Sequence, residues 1–223
     1  NFLVKVTNVP EAPVAIAISN DSIAENLKKG ATIGKLSATD EDAGEKHTFK
    51  LIDSPAGVGN DNALFSISGY NLRTNAVLDF DATPQLSVLV EVTDRAKLTY
   101  TQVLTINVTD ANDAPTGLTI DPVTIAENQA KGTEIGTLTA IDPDTGDTHT
   151  YSVVGGKDKK LFAVNGDKLI TNAILDYELK SELDLVIRVT DSGKASVDIP
   201  LPITVTDVND GPTDITLSND TIA

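Results

Sequence analysis

The 223-residue sequence predicts an all-β protein of tandem immunoglobulin-like antiparallel β-sandwiches, about seven strands each, arranged end to end. Three observations carry that prediction. The chain repeats itself at a spacing of about 100 residues, and within each repeat the apolar residues alternate with a period of 2. Short strand-like runs are separated by turn signals, the pattern of a sandwich with one buried face per sheet.

The repeat is read from its linker. Asp110-Ala111-Asn112-Asp113-Ala114-Pro115 returns as Asp207-Val208-Asn209-Asp210-Gly211-Pro212, and a decayed copy, Asn8-Val9-Pro10-Glu11-Ala12-Pro13, stands near the start. At an offset of 102, residues 13–49 match 115–151 at 17 of 37 positions; at an offset of 97, residues 64–113 match 161–210 at 21 of 50. The five-residue difference falls in a loop composition between Ser54 and Asn62, where insertions are tolerated. This organises the chain as residues 1–10 (the last strand of a preceding repeat), repeat 1 over 11–112, repeat 2 over 113–210, and the start of a third repeat over 211–223. Both ends cut through this pattern, so the sequence is expected to be a fragment of a longer protein.

Within repeat 1, strands are expected over 14–19, 33–39, 47–52, 64–68 and 71–74. Leu86, Val88, Val90 and Val92 then alternate as one strand, and Leu104, Ile106 and Val108 as the last. In repeat 2 the corresponding positions are Leu183, Leu185, Ile187 and Val189, followed by Leu201, Ile203 and Val205. Asn165-Gly166 is a hairpin-turn dipeptide. No segment reads as a long helix.

Composition narrows function. With 17 Lys+Arg against 33 Asp+Glu the net charge is -16, which removes nucleic acid as a default partner because a phosphate backbone requires a basic footprint. The absence of Cys removes disulfides, zinc–thiolate sites and thiol nucleophiles. No run of 18 apolar residues is present, so direct membrane insertion through a helix is not expected. No Gly-rich phosphate loop or Ser-His-Asp order supports an enzyme. His47 and His149 share one repeat position at a strand start, which fits a structural role better than catalysis.

The acids are periodic. Repeat 1 places Glu25, Asp40, Asp42, Asp79, Asp81, Asp94, Asp110 and Asp113 at strand ends and in the linker. Repeat 2 places Glu127, Asp142, Asp144, Asp176, Glu178, Asp191, Asp207 and Asp210 there. With Glu11 this makes 17 carboxylates at repeated positions, leaving 16 acids against 17 bases in the remainder. Two carboxylates about 5 Å apart repel by roughly 3 kcal/mol at an effective dielectric of about 20, so something cationic should sit among them. Lys and Arg do not recur beside these positions. An all-oxygen donor set favours Ca²⁺, which takes 6–8 oxygens, over Mg²⁺, which keeps its waters. An EF-hand at Asp142-Pro143-Asp144 fails, because its sixth position is Asp147 and its twelfth Val153.

These residues resemble a known family. The Ala24-Glu25-Asn26 motif, Leu78-Asp79-Phe80-Asp81, the 110–113 linker, Asp142-Pro143-Asp144 and Val189-Thr190-Asp191 together are similar to the calcium-binding motifs of cadherin repeats. The bacterial version in large surface adhesins, often of the RTX type, is the closer likeness, on Gly146-Asp147-Thr148-His149-Thr150-Tyr151 and 208–212.

The resemblance implies cadherin-like sandwiches and one complete inter-repeat site for about three Ca²⁺. Its ligands would be Glu25, Asp79, Asp81, Asp110, Asn112, Asp113, Asp142, Asp144 and Asp191, with carbonyls of Ala111, Ala114 and a residue near Thr148. Asp81 stands where the family often has Glu. Fewer ions are implied at the two ends. At the start, Asp40, Asp42 and Asp94 remain, but Asn8, Pro10 and Glu11 replace the linker residues. At the end, Glu127, Asp176, Glu178, Asp207, Asn209 and Asp210 are present without the next repeat's acids. The resemblance implies extender repeats of an extracellular, cell-surface adhesin acting in adhesion and biofilm, with neighbouring repeats as partners. The alternative is a repeat that itself binds polysaccharide or another repeat.

Overall fold

The computed structural model describes residues 2–5, 7–53, 61–212 and 214–215. The chain divides into two compact units, Asn1–Ala111 and Asn112–Ala223. The residues expected to begin a third repeat fall largely outside the described ones, as does the 54–60 part of the length difference between the repeats.

The first unit orders its strands as β1 (Ala15–Ile18), β2 (Ser22–Ala24), β3 (Thr32–Thr39), β4 (Thr48–Leu51), β5 (Phe65–Ser68), β6 (Asn71–Thr74), β7 (Gln85–Thr93) and β8 (Thr99–Thr109). They form two four-stranded sheets, β1-β3-β6-β5 and β2-β8-β7-β4. The second unit repeats the plan with β9 (Gly117–Asp121), β10 (Thr124–Ala126), β11 (Glu134–Ile141), β12 (Thr150–Gly155), β13 (Phe162–Asn165), β14 (Lys168–Thr171), β15 (Glu182–Thr190) and β16 (Ser196–Thr206). Its sheets are β13-β14-β11-β9 and β10-β16-β15-β12.

Three features depart from the expectation. Among the described residues each unit has eight strands instead of about seven, because the first strand switches sheets: β2 and β10 are separate three-residue strands. Each pairs in parallel with the last strand of its unit, Ser22 opposite Asn107 and Thr124 opposite Thr204, in an otherwise antiparallel fold. Three residues with a single apolar position carry no readable alternation. The switch needs a tight backbone crossing at Gly34 and Gly136, where an added Cβ would lie 2.4 Å from the carbonyl oxygens of Asn20 and Pro122 respectively. The β13–β14 hairpin forms as expected, but Asn165 pairs with Lys168, so its two-residue loop is Gly166-Asp167. Among the described residues 2–5 and 7–10 no strand is present, and Phe2, Leu3 and Val4 are exposed.

The alternating positions face the cores. Leu72, Val88, Val90, Val92 and Ile106 are fully buried in the first unit, as are Leu169, Ile187 and Ile203 in the second. Each such side chain contributes about 1.5–3 kcal/mol by leaving water. No helix among the described residues is long and apolar enough to cross a membrane. Leu72→Ala should destabilise the first unit by about 2–5 kcal/mol. Leu179→Ala, at an exposed position, should change stability by less than about 0.5 kcal/mol. Denaturant unfolding followed by amide exchange, unit by unit, checks both.

Candidate metal centres

Each unit gathers its acids at two poles. At the first unit's C-terminal pole, Glu25 follows β2 and is 2% exposed. Its Oε1 accepts the Ala111 N–H at 3.0 Å and its Oε2 the Phe80 N–H at 2.5 Å. One carboxylate therefore ties the end of β2 to the linker and to the 78–81 loop. Asp79 caps that loop by accepting the Ala82 N–H at 2.9 Å. Glu25, Asp79 and Asp81 bring ligand oxygens within 4.8 Å of one another.

The second unit's C-terminal pole is built the same way. Glu127, 1% exposed, accepts the Val208 N–H at 2.9 Å and the Tyr177 N–H at 2.8 Å. Asp176 accepts from Leu179 at 2.8 Å, and Glu127, Asp176 and Glu178 converge within 4.8 Å. Asp210 accepts the Asn128 side-chain amide at 2.8 Å. Asn209 donates to the Asp210 carbonyl at 3.2 Å.

At the second unit's N-terminal pole, Asp142 accepts the Asp144 N–H at 3.0 Å and meets His149 Nε2 at 2.7 Å. Asp144 Oδ2 accepts the Asp113 N–H at 2.8 Å. Asp191, 2% exposed, closes the β15–β16 turn through the Ala195 N–H at 2.8 Å and accepts the Asn112 side-chain amide at 3.0 Å. Asn112 has little room: a Cβ added to Gly193 would lie 1.9 Å from its Oδ1. Asp147 joins Asp142 and His149 as a third ligand residue, with ligand atoms within 4.8 Å.

The first unit's N-terminal pole follows the same plan with altered residues. Asp40 accepts from Asp42 and meets His47 Nε2, both at 3.0 Å. Asp42 accepts the Glu11 N–H at 3.0 Å and also hydrogen-bonds the Asn8 side chain. Asp94, 4% exposed, accepts the Leu98 N–H at 2.8 Å within its own turn.

The pairing of both histidines with a polar-end aspartate was not deduced from the sequence, although their shared position seven residues after Asp40 and Asp142 was a signal. Asp147 and Gly193 were also missed, since neither role shows in residue spacing.

The donor sets fit a hard cation. They are all-oxygen apart from the imidazoles, several carboxylates are almost wholly buried, and Asp144 Oδ1 is buried with no hydrogen-bond partner among the described residues. Bases pair with other acids: Lys50 with Glu91 at 2.8 Å, Lys180 with Asp158 at 2.7 Å and Arg188 with Asp198 at 2.7 Å.

Titration differs within one pole. The Val208 and Tyr177 amides hold Glu127 below the ordinary glutamate value. Glu178 is opposed by its own backbone N–H, yet burial and the Glu127, Asp210 and Asp207 carboxylates push it up. Hydrogen bonds from His47 and the Asp42 amide lower Asp40. The Ser192 hydroxyl and the Thr148 amide lower Asp147.

Carboxyl NMR of the metal-free protein should therefore find Glu127 titrating below Glu178. Glu127's contribution to stability is complete above its unfolded pKa and is lost as pH falls through its lower folded value. Glu178 costs stability near neutrality, and that cost is relieved as pH falls through its raised value. The reverse titration order would contradict this account of the pole.

Residues 121–206 match the family described as "Cadherin domain". Over 205 residues the chain is 30% identical to the Caenorhabditis elegans cadherin EGF LAG seven-pass G-type receptor fmi-1, covering 85% of this chain and 8% of that protein. It is 32% identical to human protocadherin gamma-B5 over 199 residues, 85% of this chain and 21% of that protein. The crystal structure of the protocadherin gamma-B4 extracellular domain is similar with a TM-score of 0.56 and 27% identity, over 92% of this chain and 34% of that one. The chain thus spans a small part of the curated relatives it matches. Residues 121–206 of the second unit thus match a cadherin domain, and both units are built as cadherin-like β-sandwiches.

Proposed function

We propose that these are Ca²⁺-rigidified extender repeats of an extracellular surface adhesin, of the bacterial RTX type by its 146–151 and 208–212 motifs. Calcium at the linker between the two repeats sets the angle between them. The observation that carries this reading is the set of buried polar-end carboxylates held by backbone amides, with Asp144 Oδ1 buried and unpartnered among the described residues. Calcium supplies the positive charge that makes such a cluster stable.

At the central linker the proposed ligands are Glu25, Asp79, Asp81, Asp110, Asn112, Asp113, Asp142, Asp144 and Asp191, with the Ala111 and Ala114 carbonyls, for about three ions. Asp40, Asp42 and Asp94 would hold at most one weakly. Glu127, Asp176, Glu178, Asp207, Asn209 and Asp210 would hold one or two. Without the ion, carboxylate repulsion and linker freedom let the repeats swing. With it, three segments are tied together. Extracellular calcium modules bind with Kd of about 10⁻⁴–10⁻³ M, so external calcium acts as the switch and neighbouring repeats as the partners.

Adding millimolar Ca²⁺ should raise both the melting temperature and the maximum dimension in solution scattering, and EDTA should reverse both. No response in either measurement sinks the proposal. Asp113→Ala should remove most of the rise, whereas Asp21→Ala, outside the clusters, should keep it. Gly193→Ala should also weaken the calcium response, because its methyl group displaces Asn112 from Asp191. An unchanged calcium midpoint in that variant would remove Asn112 from the ligand set.

A further inference from the structure

The second unit's N-terminal pole draws its acids from two different sheets, and one side chain spans them. Asp142 follows β11, in the β13-β14-β11-β9 sheet, whereas Asp191 follows β15, in the β10-β16-β15-β12 sheet. His149 precedes β12, whose first rung pairs Thr150 with Thr190. The imidazole therefore starts from the rung beside Asp191 and reaches across to Asp142, where Nε2 meets Oδ2 at 2.7 Å. Both side chains are nearly removed from water, at 12% and 4% exposure. Asp147 ties the intervening loop to the β15–β16 turn by accepting the Ser192 N–H at 3.4 Å.

The first unit builds the same strut. Asp40 follows β3, His47 precedes β4, Thr48 pairs with Thr93, and His47 Nε2 meets Asp40 Oδ2 at 3.0 Å. Its loop acid is Glu45, which accepts the Arg95 N–H at 3.2 Å where Asp147 accepts from Ser192. The chain has two histidines, and both make this contact. An ionised carboxylate can only accept, so the ring proton lies on Nε2. Asp142 Oδ1 meanwhile accepts the Asp144 N–H at 3.0 Å. With one donor on each oxygen, about two of the four lone-pair directions stay free, and both point where the donors leave them. A Lys or Arg could hold the carboxylate too, but its charge would repel an incoming cation. An imidazole donates without needing one.

We propose that His149 is a positioning residue for calcium: its Nε2–H holds the Asp142 carboxylate in register with Asp191, so that ligands from the two sheets are set before the ion arrives. His47 does the same for Asp40 and Asp94. The inference rests on the calcium reading above and deepens it with a residue that touches no ion. Without the donor, Asp142 turns about its own side-chain bonds, and that freedom must be lost on binding. Affinity then falls while the fold, carried by the apolar core, remains. Groups that orient metal ligands in this way change affinity by about 10–100-fold when removed.

The test is calorimetric titration of Ca²⁺ into the full chain and three variants, beside NMR of the metal-free protein. His149→Phe keeps a ring and removes the donor, and should weaken the tightest step, assigned to the central linker, by about tenfold or more. His149→Gln places an amide N–H at similar reach and should recover most of that loss. His47→Phe makes the same change at the first unit's N-terminal pole and should leave the tightest step unaltered. Long-range proton–nitrogen correlation in the metal-free wild type should find both rings protonated at Nε2, a readout that does not depend on any variant folding. Wild-type affinity in His149→Phe, no recovery in His149→Gln, an equal loss in His47→Phe, or a ring proton on Nδ1 alone would each overturn this inference and leave the calcium reading standing. No calcium binding by the wild type overturns both.

Discussion

A glutamate buried at the end of a three-residue strand holds each C-terminal pole together. Glu25 and Glu127 are almost completely removed from water, and each accepts two backbone amides from segments more than 45 residues away in sequence. Those amides would otherwise be unsatisfied at a loop end, and the carboxylate would otherwise be too costly to bury. The two needs cancel. As a result the linker and the 78–81 or 175–178 loop are held against the strand end, which positions the remaining acids as a cluster instead of leaving them as solvated loop residues.

The opposite pole solves a similar problem with shorter side chains. Asp94 and Asp191 are buried by closing their own hairpins, while Asp40 and Asp142 order the following loop and are met by a histidine. Its variation between the repeats follows one pair of contacts. Asn112 sits tightly against Gly193 in the second unit. The matching positions in the first are Pro10 and Ala96, a linker residue with no amide side chain and a turn residue with a methyl group. Both members of the pair changed together, as expected where one atom's space is set by the other.

The repeats also diverge on their sides. The two units share the alternating positions that carry the sandwich core and differ at others around them. Lys35, Phe49 and Tyr70 become Thr137, Tyr151 and Asp167. The Tyr151 hydroxyl that accepts the Ala140 amide in the second repeat has no counterpart on Phe49 in the first.

Much of this was determined by the sequence alone. The linker motif set the period, and the alternation of Leu86 to Val92 and Leu104 to Val108 set the long strands, since a period of 2 with one apolar face has only one way to bury it. The recurrence of Glu25, Asp79 and Asp81 as Glu127, Asp176 and Glu178 identified the clusters as well, because turn preference does not repeat a glutamate beside a strand. Only the tertiary structure decided the rest. The sheet switch at β2 and β10 depends on parallel pairing across 80 residues or more, which three residues cannot encode in a pattern. The histidine partners, the space beside Gly193 and the hydroxyl above Ala140 are distances between atoms remote in sequence. The charge of -16 and its periodic placement are legible in the sequence; which oxygens face one another, and which amides hold them there, is a property of the folded chain.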